Sequence, residues 1–410
     1  MNCLWLTRKY PRPANSGELI YSNGLIRSFA ETGAKLTVLA HDNDEEPVGR
    51  GGSHSEYVDD DNVKWQLGTP HLGGRLASLF TRYPSDSWRL KNGGPEAALV
   101  AALENESWDA IVIDHAALGW AFRLIQSAKL KGDFSIDPVV VYLSHNHEAK
   151  IRREIAKNSK ASLPRRLALQ LDAEKYARQE EMLCREVDLV TAITDTEVEA
   201  YRENFPSQKY ISLTPGYEGE SQRREITEAT PRRVVMSGSF EWVAKRINLE
   251  RFLEQAASPL QEAGIELQIV GKADDDYRCE ISDRFSGVDM VGRVPEMTPF
   301  LLKSRMGLIV EEFGGGFKLK TLEYIFHGLP LAGLDHAVEG LPLSSPENVL
   351  LTPDTGSLIS AIIEKIDDFD ALNRMQKSSL EICESSFRWK DRGHKLFNQI
   401  EAMRADAFAG

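Results

Sequence analysis

The stretch EEFGGGFKLKTLEY, residues 311–324, sets three glycines between an acidic pair and a helix-like run carrying two lysines and a glutamate. Glycine loses more backbone freedom on folding than any other residue, so a run of three needs a reason. Strand, glycine loop and helix start together form an anion site, because unpaired N–H groups and the positive end of the helix dipole converge there. Gly314, Gly315 and Gly316 allow close approach, and Phe317, Lys318, Leu319, Lys320 and Thr321 follow. Cations in a first helical turn oppose the dipole, so Lys318 and Lys320 are best explained by an anionic ligand. The competing reading is a tight turn with solvated lysines and a Lys320–Glu323 pair at i, i+3. Neither GxxxxGK[ST] nor GxGxxG with a following acid occurs, which disfavours a simple ATPase or dehydrogenase.

Two further stretches carry chemistry. SHNHEA (144–149) follows a buried apolar run and brings His145, Asn146 and His147 to its end. Histidine there serves as a polar contact or a proton carrier, and a lone structural histidine is the alternative. KIRREIAKNSKASLPRR (150–166) holds seven basic residues and one acidic one in a chain of net charge −13. It is a candidate for peripheral membrane contact or for a lipid-diphosphate acceptor, against the plainer reading of a solvated helix face.

These residues need a scaffold. Short apolar runs at 2–7, 35–41, 108–114, 139–144 and 187–194, the last three rich in β-branched residues, alternate with helical patterns, and the alternation restarts at 233–239, 265–271, 288–292, 306–312 and 329–333. Such runs predict buried parallel strands, so the fold expected is α/β with two doubly wound domains. Residues 42–62 read as an exposed acidic loop, and 66–95 show no clear period. The polar stretch 217–232 reads as a linker. The expected organisation is therefore an N-terminal domain over 1–215, a linker over 216–232 and a second domain over 233–385. A closing helix over 386–410 packs back on the first domain. A chain of 410 residues is long enough for two cores. Its acidic balance argues against nucleic acid as a partner. Four dispersed cysteines give neither zinc spacing nor a disulfide framework, and no signal-like or membrane-spanning run is visible, so a cytoplasmic protein is expected.

GGGFKLKTLEYIFHGLPLAG (314–333) resembles the signature of retaining glycosyltransferases of the B fold, in particular the large family 4. NSGELIYSNGLIRSFAETGAKLTVLA (15–40), SHNHEA, EEMLCREVDLVTAITDTEVEAY (180–201), TPGYEG (214–219), VVMSGSFEWVAKRIN (234–248) and FRWKDRGHKL (387–396) resemble its other stretches, in the family's order. The resemblance implies two Rossmann-like domains facing a cleft. It also implies transfer of a sugar from a nucleotide-sugar to an acceptor hydroxyl, with retention, without metal and without a cofactor. The acceptor would be a sugar, a lipid-linked molecule or another small molecule in polysaccharide, glycolipid or glycoconjugate synthesis.

The resemblance assigns donor binding to Gly238, Ser239 and Lys245 with the residues of 314–321, and catalysis to Lys320, Glu323, Arg246 and His145. Ser16, Gly17, Asn146 and His147 fall on the acceptor side, Ser16 being equally an ordinary N-cap. Glu323 is implied to accept from the ribose hydroxyls. The family's E-x7-E pattern is broken, since its first glutamate falls on Gly315. A nucleotide-sugar-binding module without turnover, and a nucleotide-sugar epimerase, are the alternatives on the same scaffold. Peripheral attachment at the inner membrane face through 150–166 is the localisation alternative.

Overall fold

A computed structural model describes the chain except residues 43–55, 61, 69–76, 93, 160–161, 242, 312–315 and 410. The chain divides into two compact units, Met1–Gly216 with Trp389–Gly410, and Tyr217–Arg388.

In the first unit the strands are β1 (Asn2–Lys9), β2 (Lys35–His41), β3 (Glu56–Asp60), β4 (Val63–Gly68), β5 (Ala110–Asp114), β6 (Val139–Leu143), β7 (Leu189–Ala192) and β8 (Tyr210–Ser212). Their order across the sheet is β3-β4-β2-β1-β5-β6-β7-β8. All neighbours run parallel except β3 against β4. β5 and β6 are wholly buried, as continuous Val/Ile runs require when helices cover both faces. The sequence direction across the sheet reverses between β1 and β5, and side chains at the carboxyl ends of those strands share one crevice. The C-terminal helix Trp389–Ala409 lies on the helix Gly17–Ala30. A Cβ at Gly24 would stand 2.3 Å from the Trp389 ring, and one at Gly393 2.1 Å from the Ser28 carbonyl, so this contact needs both glycines.

The second unit holds β9 (Arg233–Ser237), β10 (Glu266–Val270), β11 (Val288–Gly292), β12 (Met306–Ile309), β13 (Leu331–Leu334) and β14 (Leu350–Thr352), all parallel, in the order β11-β10-β9-β12-β13-β14. Here the reversal falls between β9 and β12. Both units are thus doubly wound α/β, as expected from the strand and helix alternation.

Some expectations need correction. Of the stretch 42–62 expected as loop, 56–60 form β3 and 43–55 lie outside the described residues, while 66–95 includes the end of β4 and the helix Ser85–Asn92. The polar segment 217–232 is part of the second unit and is laid along it. Gln222 N donates to Phe326 O at 2.6 Å, Arg224 Nε to Gly328 O at 3.0 Å, and Ile226 is 1% exposed.

Candidate functional site

The second unit builds its site at the reversal between β9 and β12. The helix after β12 is Leu319–Phe326, with Lys318 at its N-cap and Gly328 beyond its end at φ +61°. Tyr324 anchors this helix. Its hydroxyl accepts from Ser237 N at 2.6 Å and donates to Ser237 Oγ at 2.9 Å. Its ring lies so close to β12 that a Cβ on Gly307 would sit 2.4 Å away. The helix start is thereby pinned beside the end of β9.

Lys320 then reaches across the gap. Its ammonium donates to Ser237 O at 3.1 Å and pairs with the Glu311 carboxylate. Both side chains are largely buried, 16% and 12% exposed. The Lys320–Glu323 pair of the plainer reading is not made. Lys245 lines the same pocket, with Ser237, Gly238, Asn248, Glu311 and Lys320. Burial pushes the Lys245 ammonium below the ordinary lysine value, and Lys320 pushes it in the same direction. Lys318 is likewise lowered by burial and by its neighbours Lys320 and Lys245, against the pull of Glu311. Burial works to raise the Glu311 carboxyl, yet Lys320 and Lys318 together hold it below the usual range. Its Oε2 is buried with no hydrogen-bond partner among the described residues. Lys245, Lys318 and Lys320 thus converge beside Glu311, with Glu339 also acting on Lys318, and the repulsion among the three ammonium groups favours an anion there.

Glu323 sits one turn along the helix. No described residue donates to its carboxylate, and burial pushes its pKa up. Thr321 is turned inward, its Oγ1 donating to Lys318 O at 2.6 Å. The Phe317 ring packs against Phe387 at 5.6 Å, and Leu319 is half-buried. Gly316 adopts φ +82°, a conformation that favours glycine, and its carbonyl accepts from Lys318 Nζ at 3.2 Å. Gly314 and Gly315 lie outside the described residues.

The loop after β9 is drawn toward β10. Gly238 N donates to Val270 O at 3.1 Å, so this amide is already engaged. A Cβ at Gly271 would stand 1.6 Å from the Gly238 carbonyl, and Gly271 has φ +147°. Ser239 is half-buried in this loop. Arg246 turns to the far side. It donates to Phe240 O at 2.6 Å, pairs with Asp274 and lies over the Tyr277 ring at 4.2 Å. Lys245 and Arg246 are therefore separated, and the first alone faces the pocket.

In the first unit the charged residues gather at the carboxyl ends of β1, β5 and β6. His145 Nε2 meets Asp114 Oδ1, and Trp5 Nε1 donates to the other Asp114 oxygen at 3.1 Å. Burial disfavours the His145 imidazolium, but the Asp114 carboxylate overrides it and raises the pKa. His115, at φ +103°, faces Glu148 at 3.4 Å, and Glu148 pairs with Arg152 at 3.2 Å. His147 stacks on Tyr201 with centroids 4.8 Å apart, and the Asn146 carbonyl accepts from Ser144 Oγ at 2.9 Å. Glu180 accepts from Glu148 N at 3.1 Å and Ala149 N at 2.9 Å, so its buried carboxylate caps the helix Glu148–Asn158. Ser16 caps Gly17–Ala30 by position without a side-chain bond. Glu18 in that first turn pairs with Arg8 at 3.1 Å.

The sequence reading missed Asp114, Glu180 and Tyr324, and left Glu311 without a role. Asp114 had one signal, an acid closing the buried run AIVID. No group of three or more His, Cys, Asp or Glu that could hold a metal occurs among the described residues.

The second unit is a doubly wound sheet with a lysine-lined pocket at its reversal, the place where such sheets bind ligands. Residues 231–368 match the family described as "Glycosyl transferases group 1", and the enzyme class is glycosyltransferase, as the resemblance implied. Among solved structures, the chain is similar to sucrose-phosphate synthase from Thermosynechococcus elongatus, with TM-score 0.69 and 16% identity over 99% of this chain and 100% of that one. It is also similar to α,α-trehalose 6-phosphate synthase from Burkholderia multivorans, with TM-score 0.65 and 13% identity over 100% and 98%. HepE of Anabaena in complex with UDP-glucose aligns with TM-score 0.62 and 12% identity over 98% and 100%. At these identities the likeness establishes the fold, that of two-domain B-fold transferases. No curated protein matches the sequence.

Proposed function

We propose that the protein transfers a sugar from a nucleotide-sugar to an acceptor hydroxyl, with retention and without a metal ion. The observation that carries this reading is that Lys245 and Lys320 line a pocket at the end of β9 beside a helix start, with Lys318 close enough to repel them. A nucleoside diphosphate supplies the negative charge that such a place favours. As the bond between the anomeric carbon and the phosphate oxygen breaks, charge grows on that oxygen, and the fixed lysines and helix start stabilise it. The acceptor oxygen bonds to the same carbon from the face the diphosphate leaves. Its proton passes to the departing phosphate. Glu323, a carboxylate without a described donor, accepts from the ribose hydroxyls. On the first unit, Ser16, Gly17, Asn146 and His147 line the acceptor side, and His145 contacts the reacting sugar with its ring oriented by Asp114.

HepE with UDP-glucose, and a trehalose-6-phosphate protein from E. coli bound with UDP-2-fluoro glucose, make UDP-glucose the first donor to try. The test is a panel of UDP-, GDP-, ADP- and dTDP-sugars. A native-state ligand raises the melting temperature. Hits are then incubated with candidate acceptors, with and without EDTA, and the product anomer is read by NMR. A product with the donor's anomeric configuration, formed equally in EDTA, is expected. An inverted anomer, or activity that EDTA abolishes and a divalent ion restores, contradicts the mechanism.

A further inference from the structure

We infer that the exposed leucine face of the helix Leu163–Glu186 in the first unit, which packs against the helix Glu148–Asn158, docks on an anionic lipid surface. The second helix exposes Leu163, Leu167 and Leu171 to 67%, 57% and 45%. Spaced four apart, they form one stripe on one face. Four residues further on that face, Lys175 donates to Ser78 O at 2.6 Å and Leu79 O at 3.2 Å. This fixes the turn Ala77–Phe80, whose Phe80 is 93% exposed. The apolar surface is thus a stripe extended by an aromatic ring.

Charge selects the partner. Arg152 and Arg153 of the helix Glu148–Asn158 are engaged, the first with Asp86 and Glu148, the second with Glu174. Lys150, Lys157, Arg165 and Arg166 have no described ion-pair partner, and Arg165 and Arg166 stand in the same turns as the leucines. A protein of net charge −13 is repelled as a whole by an anionic bilayer. Lys157, Arg165 and Arg166, near the first of the exposed leucines, reverse that at one place and let the leucines enter the headgroup boundary. No helix among the described residues is long and apolar enough to cross a membrane, so the attachment is peripheral. The inference concerns a surface apart from the donor pocket, and a vesicle assay tests it whether or not sugar transfer is found.

The full-length protein is sedimented with vesicles of phosphatidylglycerol and phosphatidylcholine, and with pure phosphatidylcholine, at low salt. Binding to the anionic vesicles alone is expected, and high salt should weaken it. Each cation beside such a surface contributes about fivefold in partitioning, so R165Q/R166Q should bind roughly 30-fold more weakly. L163S/L167S should also lose binding, while both variants keep the wild-type melting temperature. Failure of the wild type to bind, equal binding to neutral vesicles, or unchanged binding in both variants overturns the inference. So does a wild-type dimer, seen by sedimentation velocity, that L163S/L167S dissociates without any vesicle binding, because the stripe is then an interface between copies.

Discussion

Lys320 satisfies two acceptors at once, the Ser237 carbonyl and the Glu311 carboxylate, in a place where water reaches little of it. Removing it therefore does two things. Lys320→Met should lower kcat/KM by about 100-fold or more, the scale of losing one preorganised charge at a leaving group. It should also destabilise the fold by roughly 3–5 kcal/mol, because Glu311 is left buried without its partner. K320M/E311Q separates the effects, since it should recover most of the stability in a urea melt and none of the activity. Recovery of activity would remove Lys320 from the chemistry. Glu323→Gln should melt like the wild type yet bind donor about 10- to 100-fold more weakly, from the loss of a charge-assisted hydrogen bond; titration calorimetry measures this, and unchanged affinity would dismiss the ribose role. His145 gives a pH test. Its pKa is raised in the folded chain, so its contribution is fully present below the ordinary histidine value of about 6.5 and is lost as pH rises through the folded value. Melting temperature should fall on that alkaline side in the wild type, and His145→Gln should flatten this fall. An identical pH profile in the variant would contradict the Asp114–His145 account.

At the scale of elements, the pocket depends on two parallel strands ending side by side and on loops pulled tight behind them. Gly271 is the position where this shows, because its backbone sits at φ +147° against the Gly238 carbonyl. Gly271→Ala should destabilise the protein by about 1–3 kcal/mol or more and weaken donor binding by displacing residues 238–240. A calorimetric melt and a donor titration test the two parts, and wild-type values in both would refute the close approach. Much of this layer was legible in sequence. Fully buried strands such as AIVID and VVVYL announce themselves as continuous β-branched runs. β3, β8 and β14 did not, because short or edge strands carry few apolar residues and take their shape from a neighbour. The lysines beside the glycine loop were legible from spacing. The Lys320–Glu311 pair was not, since it spans nine residues across a loop rather than one helical turn. The Asp114–His145 pair joins residues 31 apart that only the adjacency of β5 and β6 brings together.

At the scale of the whole molecule, two doubly wound units repeat one plan and differ in what they gather at the reversal. The second gathers lysines, suited to a leaving diphosphate. The first gathers histidines, carboxylates and two arginines into a paired network, which orients polar groups without a large excess of either charge. The sequence alone pointed to this division through the placement of GGGFKLK and SHNHEA, but not to the pairing inside each group. The proposed transfer rests on the second unit holding a nucleoside diphosphate. Titration calorimetry with UDP, GDP, ADP and dTDP, and with the parent nucleosides, tests that most directly in the wild type and K320M/E311Q. The account predicts that at least one diphosphate binds the wild type, that its nucleoside binds far more weakly, and that the variant loses the difference. Failure of all four diphosphates to bind, or equal binding by the variant, would contradict it.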